Sequence, residues 1–279
     1  MFLRFAKFLM IALAFASCDE IAPTVTGSMG NTGPGPDLTN QQRQVLIEEF
    51  TGVRCVNCPA GSAAIEDLIA IHGPQLVAVS IHAGEFAPPY SDSQYDFRTP
   101  EGDQLLSYLG EPFGYPTAVV NRKLFDGEFD LQLGQSQWAG YIQQELQEDP
   151  KVKLKIEPSY NAQTEKLDAL ITILVVEDVV EPDVRLSIMI TESGVQDMQL
   201  TPSGKQADYT HKHILRTMMT NYDGAVISDE LTAGKQITKS FSMDWNPDWD
   251  VNNCDILAFV SLGGTAKDVL QAHHVHIIE

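Results

Sequence analysis

The sequence predicts an α/β region followed by an all-β region, and three observations predict it. Two strand-like apolar runs flank a helix-like stripe between residues 45 and 81, which is the pattern of a βαβ unit. From residue 151 onward several segments alternate polar and apolar residues without a strong helical period, as half-buried antiparallel strands do. A segment rich in glycine and proline separates both regions from the N-terminus.

The first 17 residues read as a signal peptide. Arg4 and Lys7 precede an apolar run from Phe8 to Phe15, which ends in the small residues Ala16 and Ser17. That run is too short to span a bilayer. Phe15-Ala16-Ser17-Cys18 resembles a bacterial lipobox, with Phe15 where leucine is usual. The resemblance implies that Cys18 is lipidated, becomes the mature N-terminus and holds the protein to a membrane through its lipid. Ala14-Phe15-Ala16 also fits an ordinary cleavage site. Residues 18–40 follow as a tether: from Ile21 to Asn40, seven of twenty residues are Gly or Pro. Such a segment buries too little apolar surface to offset its ordering entropy.

Thirty-eight acidic against 18 basic residues give a net charge of −20. Nucleic-acid phosphates repel such a surface, so nucleic acid is excluded as a partner. Four cysteines in an exported chain point to disulfide chemistry. If Cys18 carries lipid, Cys55 and Cys58 pair locally and Cys254 is a buried, inert thiol. Ordinary cleavage leaves Cys18 free to bridge Cys254.

Within residues 41–150, Val45 to Phe50 reads as a buried strand leading to Cys55-Val56-Asn57-Cys58. Pro59 suits the first turn of a helix with an apolar stripe at Ile65, Leu68, Ile69 and His72, terminated by Gly73-Pro74. Leu76 to Ile81 is a second buried strand. An insertion from His82 to Gly110 carries Phe86, Tyr90, Tyr95 and Phe97, and a helix begun by Thr99-Pro100 and ended by Gly110. Tyr115-Pro116-Thr117, a strand from Ala118 to Val120, a turn at Asp126-Gly127 and a helix with Trp138, Tyr141, Ile142, Glu145 and Leu146 complete the region.

Strands in residues 151–279 are expected at Lys151 to Ile156, Leu167 to Val175, Val184 to Ile190, Tyr209 to Arg216, Gln236 to Phe241, Ile256 to Val260 and Val269 to Ile278. About seven strands predict an immunoglobulin-like sandwich. His211 and His213 share one strand face, as do His274 and His276, because side chains alternate with period two. They read as exposed or hydrogen-bonded strand histidines, set against a metal site or a pH switch. Asp244, Asn246, Asp248 and Asp250 have the spacing of a calcium loop, but Trp249 stands where that loop needs glycine, so Trp245 and Trp249 are read as anchors of a strand start.

The order strand, C-x-x-C, helix, strand, insertion, Tyr-Pro-Thr, strand, hairpin, helix resembles the thioredoxin fold. The full expectation is therefore an α/β thioredoxin-like domain followed by an all-β immunoglobulin-like sandwich. The resemblance implies a cis bond at Tyr115-Pro116, with Pro116 facing the cysteine pair and holding an extended substrate segment. It also implies that Glu49, six residues before Cys55, is a buried proton acceptor for the resolving thiol. Helix amides at the pair and the charge of Arg54 beside Cys55 favour a thiolate. Arg54 replaces the family's tryptophan, and Pro59 pushes the helix start toward Cys58. Thr51-Gly52-x-x-Cys55-x-Asn57-Cys58-Pro59, Tyr115-Pro116-Thr117, Tyr209-Thr210-His211-x-His213-Ile214-Leu215-Arg216 and Ile256 to Val260 together resemble the twenty-eight-kilodalton outer-membrane protein family of Bacteroidota lipoproteins. That resemblance implies an envelope, outer-membrane location, facing the periplasm or the surface.

Two functions are open. In the first, Cys55 attacks, Cys58 resolves, Pro116 positions substrate and Glu49 moves the proton in thiol–disulfide exchange on exported protein thiols. In the second, the pair is a structural bridge and the protein binds a surface protein or glycan. Zinc needs about four ligands where one Cys pair is present, and neither a metal nor a cofactor is expected.

Overall fold

The computed structural model describes Leu38 and residues 40–278. The signal peptide, the lipobox, Cys18 and nearly all of the tether at 18–40 lie outside the described residues. Among the described residues no helix is long and apolar enough to cross a membrane.

Strand β1 (Val45–Thr51) is buried along its whole length, because it runs through a sheet covered on both faces. The two-residue period sends Val45 and Ile47 into one core and Leu46 and Phe50 into another. Glu49 follows the first set and Glu48 the second. Helix α1 (Cys58–His72) carries Pro59 in its first turn and stops at Gly73, whose φ of 57° suits a residue without Cβ. Strand β2 (Leu76–His82) returns parallel to β1, from Val45↔Leu76 to Thr51↔His82. Helix α2 (Pro100–Leu109) has Thr99 as N-cap, its Oγ accepting from Gly102 N at 2.9 Å. Then come β3 (Thr117–Val120), antiparallel to β1, the short β4 (Leu133–Gly134) and α3 (Gln135–Glu145).

The remaining strands are β5 (Val152–Asn161), β6 (Lys166–Val175), β7 (Val184–Glu192), β8 (Val195–Thr201), β9 (Gly204–His211), β10 (Ile214–Met218), β11 (Ala225–Val226), β12 (Gln236–Asp244), β13 (Cys254–Leu262) and β14 (Val269–His276). They do not form a body apart from the α/β region. One nine-stranded sheet has the order β14-β13-β7-β10-β2-β1-β3-β4, with β11 on β7. The seam is the parallel pair β10 and β2, where Ile214 stands opposite Ser80 and Ser80 N donates to His213 O at 2.7 Å. α2 covers one face through Leu105, Leu106 and Leu109. On the other face α1 and α3 cover the β1 end through Ile65, Leu68, Trp138 and Ile142. A three-stranded sheet, β12-β6-β5, covers the β7 and β13 end. The result is a mixed, sheet-rich fold with an N-terminal α/β region.

Besides the short β4 and β11, which have no counterpart in the sequence reading, two differences bear on the site. The strand expected from Tyr209 to Arg216 is broken at His213, which has a φ of 53°. β9 therefore joins β8 in a separate hairpin while β10 enters the main sheet, and His211 and His213 share no strand face. β8 was not expected at all, because its buried alternation includes the polar residues Asp197 and Gln199 beside Val195.

Two buried arginines, each paired with a carboxylate of the first region, also reach the second. Arg122 makes a two-pronged contact with Glu48, at 2.8 and 2.6 Å, with both side chains at most 1% exposed. The guanidinium lies 4.6 Å from the Phe259 ring centre in β13. Arg43 donates to Glu145 at 3.0 Å, to Val269 O at 2.7 Å and to Leu270 O, which ties the start of β1 and the end of α3 to β14. Replacing Arg122 by Met leaves Glu48 buried without its cation and is expected to cost about 3–5 kcal/mol in denaturant unfolding. Adding Glu48→Leu to that variant restores most of the loss; a double variant as unstable as the single one would contradict this account.

Candidate functional site

Cys55 and Cys58 form a disulfide at the head of α1, with Cα atoms 5.3 Å apart. Cys55 lies in the loop and Cys58 in the first turn, so the dipole end faces Cys58 more directly than Cys55. The loop is tightly held. Cys55 N donates to Gly52 O at 3.0 Å and Arg54 N to Phe86 O at 2.9 Å. A Cβ on Gly52 would meet the Phe86 carbonyl oxygen at 2.3 Å, so only glycine allows the insertion to approach.

Arg54 does not serve the role expected of it. Its guanidinium donates to Pro88 O at 2.7 Å and Pro89 O at 2.6 Å and lies 5.0 Å from the Tyr90 ring centre. The charge is directed into the insertion.

Glu49 is fully buried beneath α1 and accepts from Ser80 Oγ at 3.2 Å and from Ser62 Oγ at 3.2 and 3.4 Å. Burial lifts its carboxyl from the usual 4.5 to about 8, against the smaller pull of the two serine hydroxyls. It holds a proton at neutral pH. The Tyr115-Pro116 bond is cis. A Cβ on Gly61 would meet both Glu49 Oε1 and Pro116 Cβ at 2.7 Å. Gly61 thus brings the acid, the proline and the first turns of α1 together. The hydroxyl of Tyr115 donates to Ala83 O at 3.1 Å.

What covers the pair has no signal in the sequence. Hairpin β8–β9 lies over the loop: Gln199 Nε2 donates to Cys55 O at 3.0 Å and to Gly52 O at 3.3 Å, and Leu200 N donates to Val53 O at 2.7 Å. Asp197 accepts from Gln94 N and Tyr95 N of the insertion at 3.0 and 2.8 Å. Cys55 is 3% exposed and Cys58 1%.

Between α1 and the hairpin is a cavity of about 330 Å³, lined by Cys58, Glu49, Ser62, His82, Tyr209 and His211 among others. His82 and His211 meet edge to face at 5.6 Å, both against Phe97. His82 Nδ1 and His211 Nε2 are buried without a hydrogen-bond partner. Burial holds both rings neutral, with His211 lowered to about 4 and His82 depressed further by the neighbouring His211 and Arg216. At the rim His213 Nε2 lies 2.9 Å from Glu66, which also meets Lys212; the His213 contact chiefly holds Glu66 down at about 2. Among the described residues no three His, Cys, Asp or Glu side chains converge to hold a metal ion. Cys254 is buried and unpaired, and burial together with Glu192 pushes its thiol up. His276 Nδ1 lies 2.5 Å from Asp255, and His274 Nδ1 is buried without a partner.

The family described as "Outer membrane protein Omp28" matches residues 103–279. Among curated proteins, none matches the chain. Among solved structures, HBP35 of Porphyromonas gingivalis is similar with a TM-score of 0.68 at 20% identity, over 85% of this chain and 76% of that one. A protein of Agrobacterium tumefaciens is similar with a TM-score of 0.54 at 12% identity, over 86% of this chain and 97% of that one. At these identities the likeness is one of fold.

Glu49 makes stability depend on pH with a definite sign. A carboxyl raised in the folded state binds its proton more tightly there than when unfolded, so stability falls as pH rises from about 4.5 through about 8. The unfolding free energy of the wild type minus that of Glu49→Gln, measured in urea across this range, should decrease steadily. A flat difference would mean that Glu49 does not titrate as described.

Proposed function

The chain belongs to the Omp28 family of outer membrane proteins, and from this premise we propose that it is a lipid-anchored envelope protein whose Cys55–Cys58 pair carries out thiol–disulfide exchange. The observation that carries the reading is the juxtaposition at the head of α1. A protonated acid without a cation and a proline in the cis form meet at Gly61, about one helical turn after the disulfide-bonded Cys58. Exchange needs a thiolate that attacks, a sulfur that leaves and a group that moves the proton. Cys55 and Cys58 supply the sulfurs, Glu49 the proton and Pro116 an edge for the substrate.

The finer fold assignment belongs to the same reading. Residues 41–150 are taken as a thioredoxin-like domain, supported by the parallel β1–α1–β2 unit with β3 antiparallel beside it. Residues 151–279 are taken as an immunoglobulin-like sandwich, supported by the layer β12-β6-β5 over β7 and β13. Its strands extend the first domain's sheet, so the two are proposed to fold as neighbours sharing one backbone ladder. Cys18 is proposed as the lipidated residue and residues 18–40 as the tether.

A second reading is favoured by the near-complete burial of both sulfurs: the pair is a structural bridge in a surface protein that binds a protein or glycan. The reduction potential separates the two. A value near those of exchange enzymes, above about −300 mV, supports exchange, and a lower one supports the bridge. Lipid anchorage has its own test: Cys18→Ser should move the mature protein from the membrane fraction to the soluble fraction, and an unchanged distribution would refute the anchor.

A further inference from the structure

The cover over the pair constrains what can reach it. A polypeptide delivering a cysteine needs several residues of extended chain beside the disulfide. That space is taken by β8–β9, through Gln199 on the Cys55 and Gly52 carbonyls and Leu200 on Val53, and by the insertion, whose Phe86 carbonyl meets Arg54 N. The cavity between α1 and the hairpin is the remaining approach, and of the two cysteines it is Cys58, itself 1% exposed, that lines it. Its volume of about 330 Å³ lies at the small end of the range for small-molecule sites. Ala63, exposed on α1, stands at its edge. Two buried ring nitrogens, His82 Nδ1 and His211 Nε2, have no protein partner, and buried polar atoms in a roomy site call for a hydrogen-bonding occupant.

Building on the exchange reading, we propose that the substrate is a low-molecular-weight thiol that enters this cavity and attacks Cys58, and that the β8–β9 hairpin excludes protein thiols. The thiolate of the first molecule forms a bond to Cys58 Sγ while the Cys55–Cys58 bond breaks, and Cys55 departs with the electron pair and takes up a proton. A second small thiolate attacks the outer sulfur of the mixed disulfide. The small disulfide is released, and Cys58 departs as a thiolate that takes the proton held on Glu49. Two small thiols are oxidised to one disulfide and the protein disulfide is reduced to two thiols; the reverse sequence reduces a small disulfide. This reverses the roles expected from the sequence, where Cys55 was the point of attack.

The experiment follows reduction of Cys55–Cys58 in the full chain by free cysteine and by an extended peptide with one central cysteine, each rate divided by the thiolate concentration. Cysteine is expected to react at least about tenfold faster, a factor equivalent to about 1.4 kcal/mol of opening the peptide would have to supply. Gln199→Ala, which frees the hairpin from the loop, should raise the peptide rate several-fold and narrow the ratio between the two rates. Ala63→Phe, at an exposed position, should fill the cavity and slow cysteine selectively; Thr210→Phe on the opposite wall serves if that variant does not fold. Equal rates for the two thiols, or a peptide rate indifferent to Gln199, would overturn the small-thiol assignment while exchange stands. Failure of both thiols to reduce the pair, even at buffer potentials near −300 mV, would overturn the exchange reading with it.

Discussion

The backbone ladder between β2 and β10 is the constraint on which the rest of the structure depends. Without it β2 would present an open row of amides and carbonyls at the edge of the α/β region, a surface that invites foreign strands. Ile214 opposite Ser80, and the bond from Ser80 N to His213 O, join that edge to β10 and place β7, β13 and β14 in the same sheet. With β10 fixed there, the chain just before it lies over the cysteine loop. Hairpin β8–β9 is that chain, and it makes the covered site.

Neighbouring carboxylates on β1 show how one residue of register separates structure from chemistry. Glu48 faces the α2 side, where the fork of Arg122 takes both its oxygens and both side chains are buried. A buried carboxylate of this kind is tolerated because its cation is buried with it. Glu49 faces the α1 side, where only two serine hydroxyls meet it. Without a cation, desolvation prevails and the acid keeps its proton to about pH 8. A one-residue slip of β1 would exchange these environments and remove both the fastening and the proton.

Local signals were legible where a side chain meets its own segment. The Thr99 cap and Gly110 stop bound α2, Pro59 and Gly73-Pro74 bound α1, and both were readable because caps act within about one helical turn. The C-x-x-C pair was readable for the same reason. The break at His213 was not, because no Gly or Pro interrupts the run from Tyr209 to Arg216 and a non-glycine residue at positive φ leaves no mark in composition. Nor was β8, whose buried Asp197 and Gln199 violate the apolar pattern of a strand. Their partners are backbone groups roughly a hundred or more residues earlier in the chain. Arg54 was misplaced by the same limit, since adjacency to Cys55 in sequence says nothing of the Pro88 and Pro89 carbonyls that orient its side chain.

By itself the sequence determined the order of the α/β elements from β1 to β3, the ends of α1 and α2, the position of Cys55 and Cys58 at a strand-to-helix junction and the acidic character of the whole. These follow from hydrophobic period, capping chemistry and charge, all of which act over a few residues. Only the tertiary structure decided that the all-β strands would continue the α/β sheet, that Glu48 would be paired and Glu49 left neutral, and that a polar hairpin would lie across the disulfide. Those outcomes depend on contacts between segments distant along the chain, where burial and hydrogen bonding are set by which surfaces meet.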